Sequence, residues 1–301
     1  MKQTIKSIAA LLLIFITGGL LPSDLQGQDR AGAPYSDPQP RHAAISYGSH
    51  PRNVMDLWIA RRDDGKPSPV VFFFHGGGFR AGSRFEVAAP TWDLRKPLLA
   101  AGISVVSIDY RLDPSLKLPE KLADIARSVQ WLRHHAAEYH IDTERVAAYG
   151  SSAGAGAAFW LATHDDMANP DSADPVLRQS TRLAAVGGFN VQATYDVRQW
   201  GKLLDIPEGR IQEQYQARIK QTSDAEFQAI QKDYDMLAML DAHDPPMHFE
   251  NDQNPPEQML GHYPGHLVAI KRKADQLGVE CVLGNLEDRG KFFIRHLNRE
   301  R

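Results

Sequence analysis

Gly150-Ser151-Ser152-Ala153-Gly154 places a hydroxyl between two glycines, directly after the short run Arg145-Val146-Ala147-Ala148-Tyr149 and before the small-residue stretch leading to Phe159-Trp160-Leu161. The pattern reads as strand, sharp turn and helix, with Ser152 at the tip. A G-x-S-x-G sequence suits such a turn for a steric reason. The serine takes a strained backbone conformation, and side chains at the glycine positions would strike the strand or the helix. The same turn sets the hydroxyl beside a helix N-terminus, where free N–H groups favour developing negative charge. Ser151 lies off the tip. Without further context the stretch is equally readable as an ordinary Gly/Ala/Ser-rich helix start.

The context is His75-Gly76-Gly77-Gly78-Phe79, which follows the apolar run Val70–Phe74. Three glycines let the backbone turn its N–H groups toward a ligand without side-chain obstruction. Two donors from this loop, with the Ala153 N–H, make an oxyanion hole, in which each donor is typically worth about 10²- to 10³-fold in rate. Both motifs stand at the end of an expected strand, in this order along the chain.

With HGGGF at 75–79, DYRL at 109–112 and GSSAG at 150–154, the chain resembles the α/β-hydrolase esterases. The branches it is most similar to are the hormone-sensitive-lipase-like and the bacterial feruloyl and acetyl-xylan-esterase-like carboxylesterases. The likeness runs from about residue 45 to 190 and returns at 243–246 and 277–283. It implies Ser152 as nucleophile on an ester carbonyl and Gly76, Gly77 and Ala153 as oxyanion donors. It further implies an Asp after the penultimate strand and a His after the last. Asp252 stands in the expected place for the acid, in HFENDQN where the family has H-G-x-x-D; Asp244 is an alternative that precedes the strand.

The base departs from the family. The loop Gly284–Lys291 contains no histidine. His266 is taken as the base, with His262 and His296 as alternatives. His262 and His266 are four apart, but Pro264 and Gly265 between them argue against a shared helix face. Lys291 stands near the family's His position, yet would need burial to bring its pKa down from about 10.4. A chain with no working base keeps only the roughly 10³- to 10⁴-fold that an oxyanion hole and binding supply. Non-catalytic or weakly active ester binding is therefore the alternative to a secreted carboxylesterase cleaving small acyl esters, some of them on polysaccharide.

These residues need a sheet to carry them. Strands are expected within 43–60, at 70–74, 103–110, 145–149, 183–189, 247–250 and 280–283. Helices are expected from Pro119, after Ser152, over 266–277 and over 291–299. Strand and helix alternate, which argues for an α/β fold, the α/β-hydrolase fold in particular, with a mainly parallel sheet covered on both faces. Residues 190–243 read as a small helical insertion within a single domain at 43–301.

Lys2 and Lys6 precede an apolar run from Ile8 to Leu21, too short to span a bilayer comfortably. With the small residue Gly27 it reads as a signal peptide over 1–27, implying a periplasmic or secreted protein with no lasting membrane association. Residues 28–42 read as a disordered lead-in. The net charge of −3 gives no reason to expect nucleic acid as a partner. The lone Cys281 excludes an internal disulfide and a cysteine-based metal site. No cofactor or metal is expected; the partner is the ester substrate itself.

Overall fold

The computed structural model describes residues 35–221, 223–284 and 286–299. The expected signal peptide at 1–27 lies outside them, as does the first part of the lead-in. Residues 35–41 depart from the disordered lead-in expected: Tyr35 is buried edge-on against Trp58 and donates to Asp56. The Pro38 carbonyl accepts from Trp58 Nε1 and Arg95. One aromatic anchor and the buried Arg95 outweigh the Pro-rich, polar composition of the segment.

Eight strands form one sheet: β1 His42–Ser46, β2 Val54–Trp58, β3 Ser68–Phe74, β4 Ser104–Ile108, β5 Ile141–Ser151, β6 Ala185–Phe189, β7 Met247–Glu250 and β8 Cys281–Leu283. Their order is β1-β2-β4-β3-β5-β6-β7-β8. β2 runs antiparallel to β1 and β4; every other pairing is parallel. All seven residues of β3 are buried, as a central strand with both faces covered requires.

Alternation within β3 divides the core. Val70, Phe72 and Phe74 join the cluster containing Leu122, Ile125, Val129 and Leu132 of the helix Leu118–His134, Phe159 of the helix Ala153–Thr163, and Ile270 of the helix Gly265–Leu277. Val71 and Phe73 face Leu98 of the helix Arg95–Ala100 and Phe292, Phe293 and Leu297 of the helix Leu286–Leu297. Period-2 strands thus meet period-3.6 helices on both sides.

The insertion is helical, with Trp200–Leu204, Glu208–Gln221, Asp224–Asp233 and Met236–Met239. Val197, Trp200, Ile211 and Leu260 make a small core of their own. No helix among the described residues is long and apolar enough to cross a membrane.

Candidate active site

β3, β5, β6 and β7 end almost level. Phe74 pairs with Gly150, Gly150 with Gly188, and Phe189 with Glu250. The loops leaving these strands therefore meet along one edge, where open α/β sheets bind ligands.

Ser152 sits where β5 turns into its helix, at φ 50° and ψ −116°. Such a conformation costs of order 1–3 kcal/mol and persists only when its surroundings impose it. Here the glycines do so. A Cβ on Gly150 would lie 2.3 Å from the Gly154 carbonyl carbon, and one on Gly154 would lie 2.0 Å from the Phe74 oxygen. The Ser152 N–H is held by the Phe189 carbonyl at 2.8 Å. Ser151 is buried in the strand.

The glycine loop is fixed from below by the DYRL segment. Tyr110 donates its hydroxyl to the His75 carbonyl at 2.9 Å and stacks on the His75 ring. Asp109 takes Arg84 at 2.6 Å and Arg52 at 3.3 Å, while Arg52 also reaches the Gly82 carbonyl at 3.0 Å. Burial holds His75 at a pKa of about 4, so it is a neutral structural ring. Gly76 departs from expectation. Its backbone hydrogen bond to the half-buried Glu86 carboxylate opposes part of the rise that burial causes in that acid's pKa. Gly77 and Gly78 both have positive φ, at 91° and 62°. Gly78, not Gly76, lines the cavity with Ser152 and Ala153.

The imidazole at the serine belongs to His262. Its Nε2 is 2.8 Å from Ser152 Oγ. This replaces His266 as the expected base. His266 is fully buried, its Nδ1 accepting from Ala193 N–H at 3.3 Å and its Nε2 facing the Leu260 carbonyl at 3.2 Å. Burial takes its pKa down to about 3. It braces the turn that carries His262 from behind. Gln192 Nε2 donates to the Gly261 carbonyl at 3.0 Å, and Asn251 Nδ2 to the His262 carbonyl at 3.0 Å.

His296 is excluded by position. It lies beside Glu280, which precedes β8, at the opposite edge of the sheet. Asp244 likewise precedes β7 and caps the Asp241 N–H. Lys291 is exposed and near Asp288. The end of β8 and the helix that follows it carry other contacts. Arg289 is buried on Glu250 at 2.8 Å, and a Cβ on Gly284 would strike His248 Nε2 at 2.3 Å.

Asp252 is in the site, but Asn190 stands between it and His262. Asn190 follows β6 in the left-handed conformation, φ 57°, which Asn tolerates better than most residues. Its Oδ1 accepts the Asp252 N–H at 2.8 Å and its Nδ2 donates to Asp252 Oδ2 at 3.0 Å. Nδ2 also lies 3.2 Å from His262 Nδ1. The amide orientation thus follows from Asp252, and an N–H faces the imidazole. Burial lowers the His262 pKa, while the Asp252 charge opposes that shift. Asn190 was not visible as a site residue from sequence; an Asn at a strand exit signals a turn, not chemistry.

The cavity over Ser152 has a volume of about 410 Å³. Phe79, Tyr195, Trp200 and Tyr215 form its aromatic walls, so the insertion covers the site. A larger polar cleft of about 840 Å³ lies at the far edge, remote from Ser152. Two of its ion pairs are Arg62 with Asp64 at 2.8 Å and Arg145 with Asp142 at 2.7 Å. Among the described residues no group of three or more His, Cys, Asp or Glu is placed to hold a metal.

Sheet, elbow and hydroxyl–imidazole pair together define an α/β-hydrolase fold. Residues 55–262 match the BD-FAE family model, and the chain belongs to that family. A probable isoprenylcysteine alpha-carbonyl methylesterase from Oryza sativa subsp. japonica is 30% identical over 196 residues, covering 64% of this chain and 44% of that protein. Esterase LipC of Mycobacterium tuberculosis is 32% identical over 110 residues, 36% of this chain and 27% of its own length. The chain spans under half the length of these curated relatives. Among solved structures, a truncated carbohydrate esterase from gut microbiota aligns with TM-score 0.63 at 15% identity, over 86% of this chain and 96% of its own. An esterase from Thermogutta terrifontis aligns with TM-score 0.58 at 22% identity, over 79% of each chain. At these identities the structural likeness speaks for the fold.

Proposed function

We propose that the chain is a serine carboxylesterase acting on small acyl esters, with Ser152 as nucleophile and His262 as base. The observation that carries this reading is the 2.8 Å contact between Ser152 Oγ and His262 Nε2 at a strained strand exit. His262 takes the hydroxyl proton as Oγ attacks the ester carbonyl. The tetrahedral oxyanion is met by the N–H groups of Ala153, Gly77 and Gly78. The alcohol leaves with the proton from His262, and water repeats the sequence on the acyl-enzyme.

Asn190 sets the starting tautomer. With its N–H toward Nδ1, the resting imidazole carries its proton on Nε2 and donates it to Ser152 Oγ. Proton abstraction needs the opposite tautomer. Turning the Asn190 amide by half a turn sets Oδ1 against an Nδ1–H and frees the Nε2 lone pair, at the loss of both bonds to Asp252. The Asp252 charge then stabilises the imidazolium. This predicts a slow esterase.

The basic start and apolar run at 2–21 support export to the periplasm or beyond, and the carbohydrate esterase among the structural neighbours supports a polysaccharide ester as one substrate. We read 43–301 as one catalytic domain. Hydrolysis of 4-nitrophenyl acetate by wild type and Ser152→Ala tests the proposal: a loss of about 10³-fold or more in kcat is expected, and equal rates would remove it.

A further inference from the structure

The walls of the Ser152 cavity carry two cations, Arg80 and Lys121, and no carboxylate among the described residues lining it. Lys121 is only 5% exposed. Its ammonium has three protons to donate and gives one, to the Phe79 carbonyl at 3.0 Å. Burial, and then the neighbouring Arg80 charge, draw its pKa down. The carboxylates whose charge reaches it are exposed and engaged elsewhere. Asp113 accepts the Ser115 N–H and hydroxyl, and Glu120 accepts the Lys117 N–H. Arg80 is exposed at the cavity mouth and makes no ion pair among the described residues.

A buried ammonium is costly unless a negative group meets it. Among the described residues a single neutral carbonyl meets the Lys121 ammonium, and Lys121 lines the cavity. We propose that Lys121 and Arg80 bind an anionic group of the ester, so that the preferred substrates carry a carboxylate. The aromatic walls take the apolar body of the molecule while the two cations take its charge. Charge-assisted hydrogen bonds made away from water are strong enough to set a preference of this kind. This inference rests on Ser152 being the reactive hydroxyl and names the substrate class of that same site.

Two matched pairs test it, each compared after correction for spontaneous hydrolysis. Mono-4-nitrophenyl succinate against 4-nitrophenyl butyrate places the charge on the acyl side. 4-Carboxyphenyl acetate against phenyl acetate places it on the leaving side. In one pair the full-length protein should favour the anionic member by about tenfold or more in kcat/KM. The preference should fall with added sodium chloride, and Arg80→Gln or Lys121→Gln should reduce it toward parity through KM. Arg80 is exposed, so its variant remains informative where Lys121→Gln does not fold. Parity, or preference for the neutral member, in both pairs overturns the inference. Ser152-dependent turnover of the butyrate would in that case leave the esterase reading standing. Calorimetry needs no turnover: Ser152→Ala should bind monomethyl succinate more tightly than methyl butyrate, or 4-carboxyphenyl acetate more tightly than phenyl acetate, and equal affinity within both pairs counts against the anion site.

Discussion

The two halves of the Ser152 site are built on different terms. On one side the β5 elbow and the glycine loop are locked by backbone contacts so close that a single Cβ at Gly150 or Gly154 would not fit. On the other side the proton-handling groups come from two strand exits and meet mainly through side chains: Asn190 after β6, and Asp252 and, ten residues later, His262 after β7. The first half needs a particular backbone. The second needs only an imidazole arriving within reach, and its source is free to change.

The room past β8 is occupied by Arg289 and Glu250, a buried pair, with Arg289 also over the Trp92 and Tyr149 rings. An imidazole from that loop would displace a paired guanidinium and leave Glu250 uncompensated. The turn Leu260–His262 instead enters from the insertion side, held by Gln192, Asn251 and His266.

The sharpest way to break this comparison is to swap its two histidines. His262→Ala should lower kcat by about 10³-fold or more with little effect on stability, since base loss is nearly as severe as loss of the whole triad. His266→Ala should instead cost about 1–3 kcal/mol of stability by orphaning the Ala193 N–H and Leu260 carbonyl; chemical denaturation alongside kinetics separates the two. A His266 variant with intact stability and no turnover would reverse their roles.

A smaller effect, of opposite sign, is expected at Asn190. Asn190→Asp replaces the amide N–H with a carboxylate oxygen and favours the Nδ1–H tautomer, so kcat at pH 7 should rise by roughly tenfold or more. An Asp-to-Asn change at the corresponding place in a known triad costs about 10⁴ by imposing the wrong tautomer. A fall in kcat would contradict the tautomer argument.

The pH profile gives the finest distinction. Activity needs neutral His262, whose pKa burial holds below 6.5 against the pull of Asp252. The acid limb of kcat/KM should therefore lie below pH 6.5. Asp252→Asn removes the charge that favours imidazolium, so the limb should move further down in pH even as the rate falls. A limb moving up would place Asp252 outside the field of the imidazole.

Sequence legibility follows the same division. The elbow, the glycine loop, all eight strands and the helical insertion could be read because local sterics and hydrophobic period decide them. Which glycine of the loop lines the cavity was not readable, because three adjacent glycines look alike in sequence and only the packing of the loop brings Gly78 to it. His262 and His266 could not be ranked because Pro264 and Gly265 break the chain between them, and only packing decides which ring turns to the serine. Asn190 was invisible for a related reason: its partners are 62 and 72 residues away. Residues 35–41 looked disordered because composition does not record one well-placed aromatic contact.

The most direct measurement is the stoichiometry with which a fluorophosphonate labels the protein, mapped by peptide mass spectrometry in wild type and in His262→Ala. Near-equimolar phosphonylation confined to Ser152, falling at least a hundredfold in rate in the variant, is the expected result. An unlabelled wild-type protein, or labelling that ignores the loss of His262, would contradict the view that these two side chains form an activated pair.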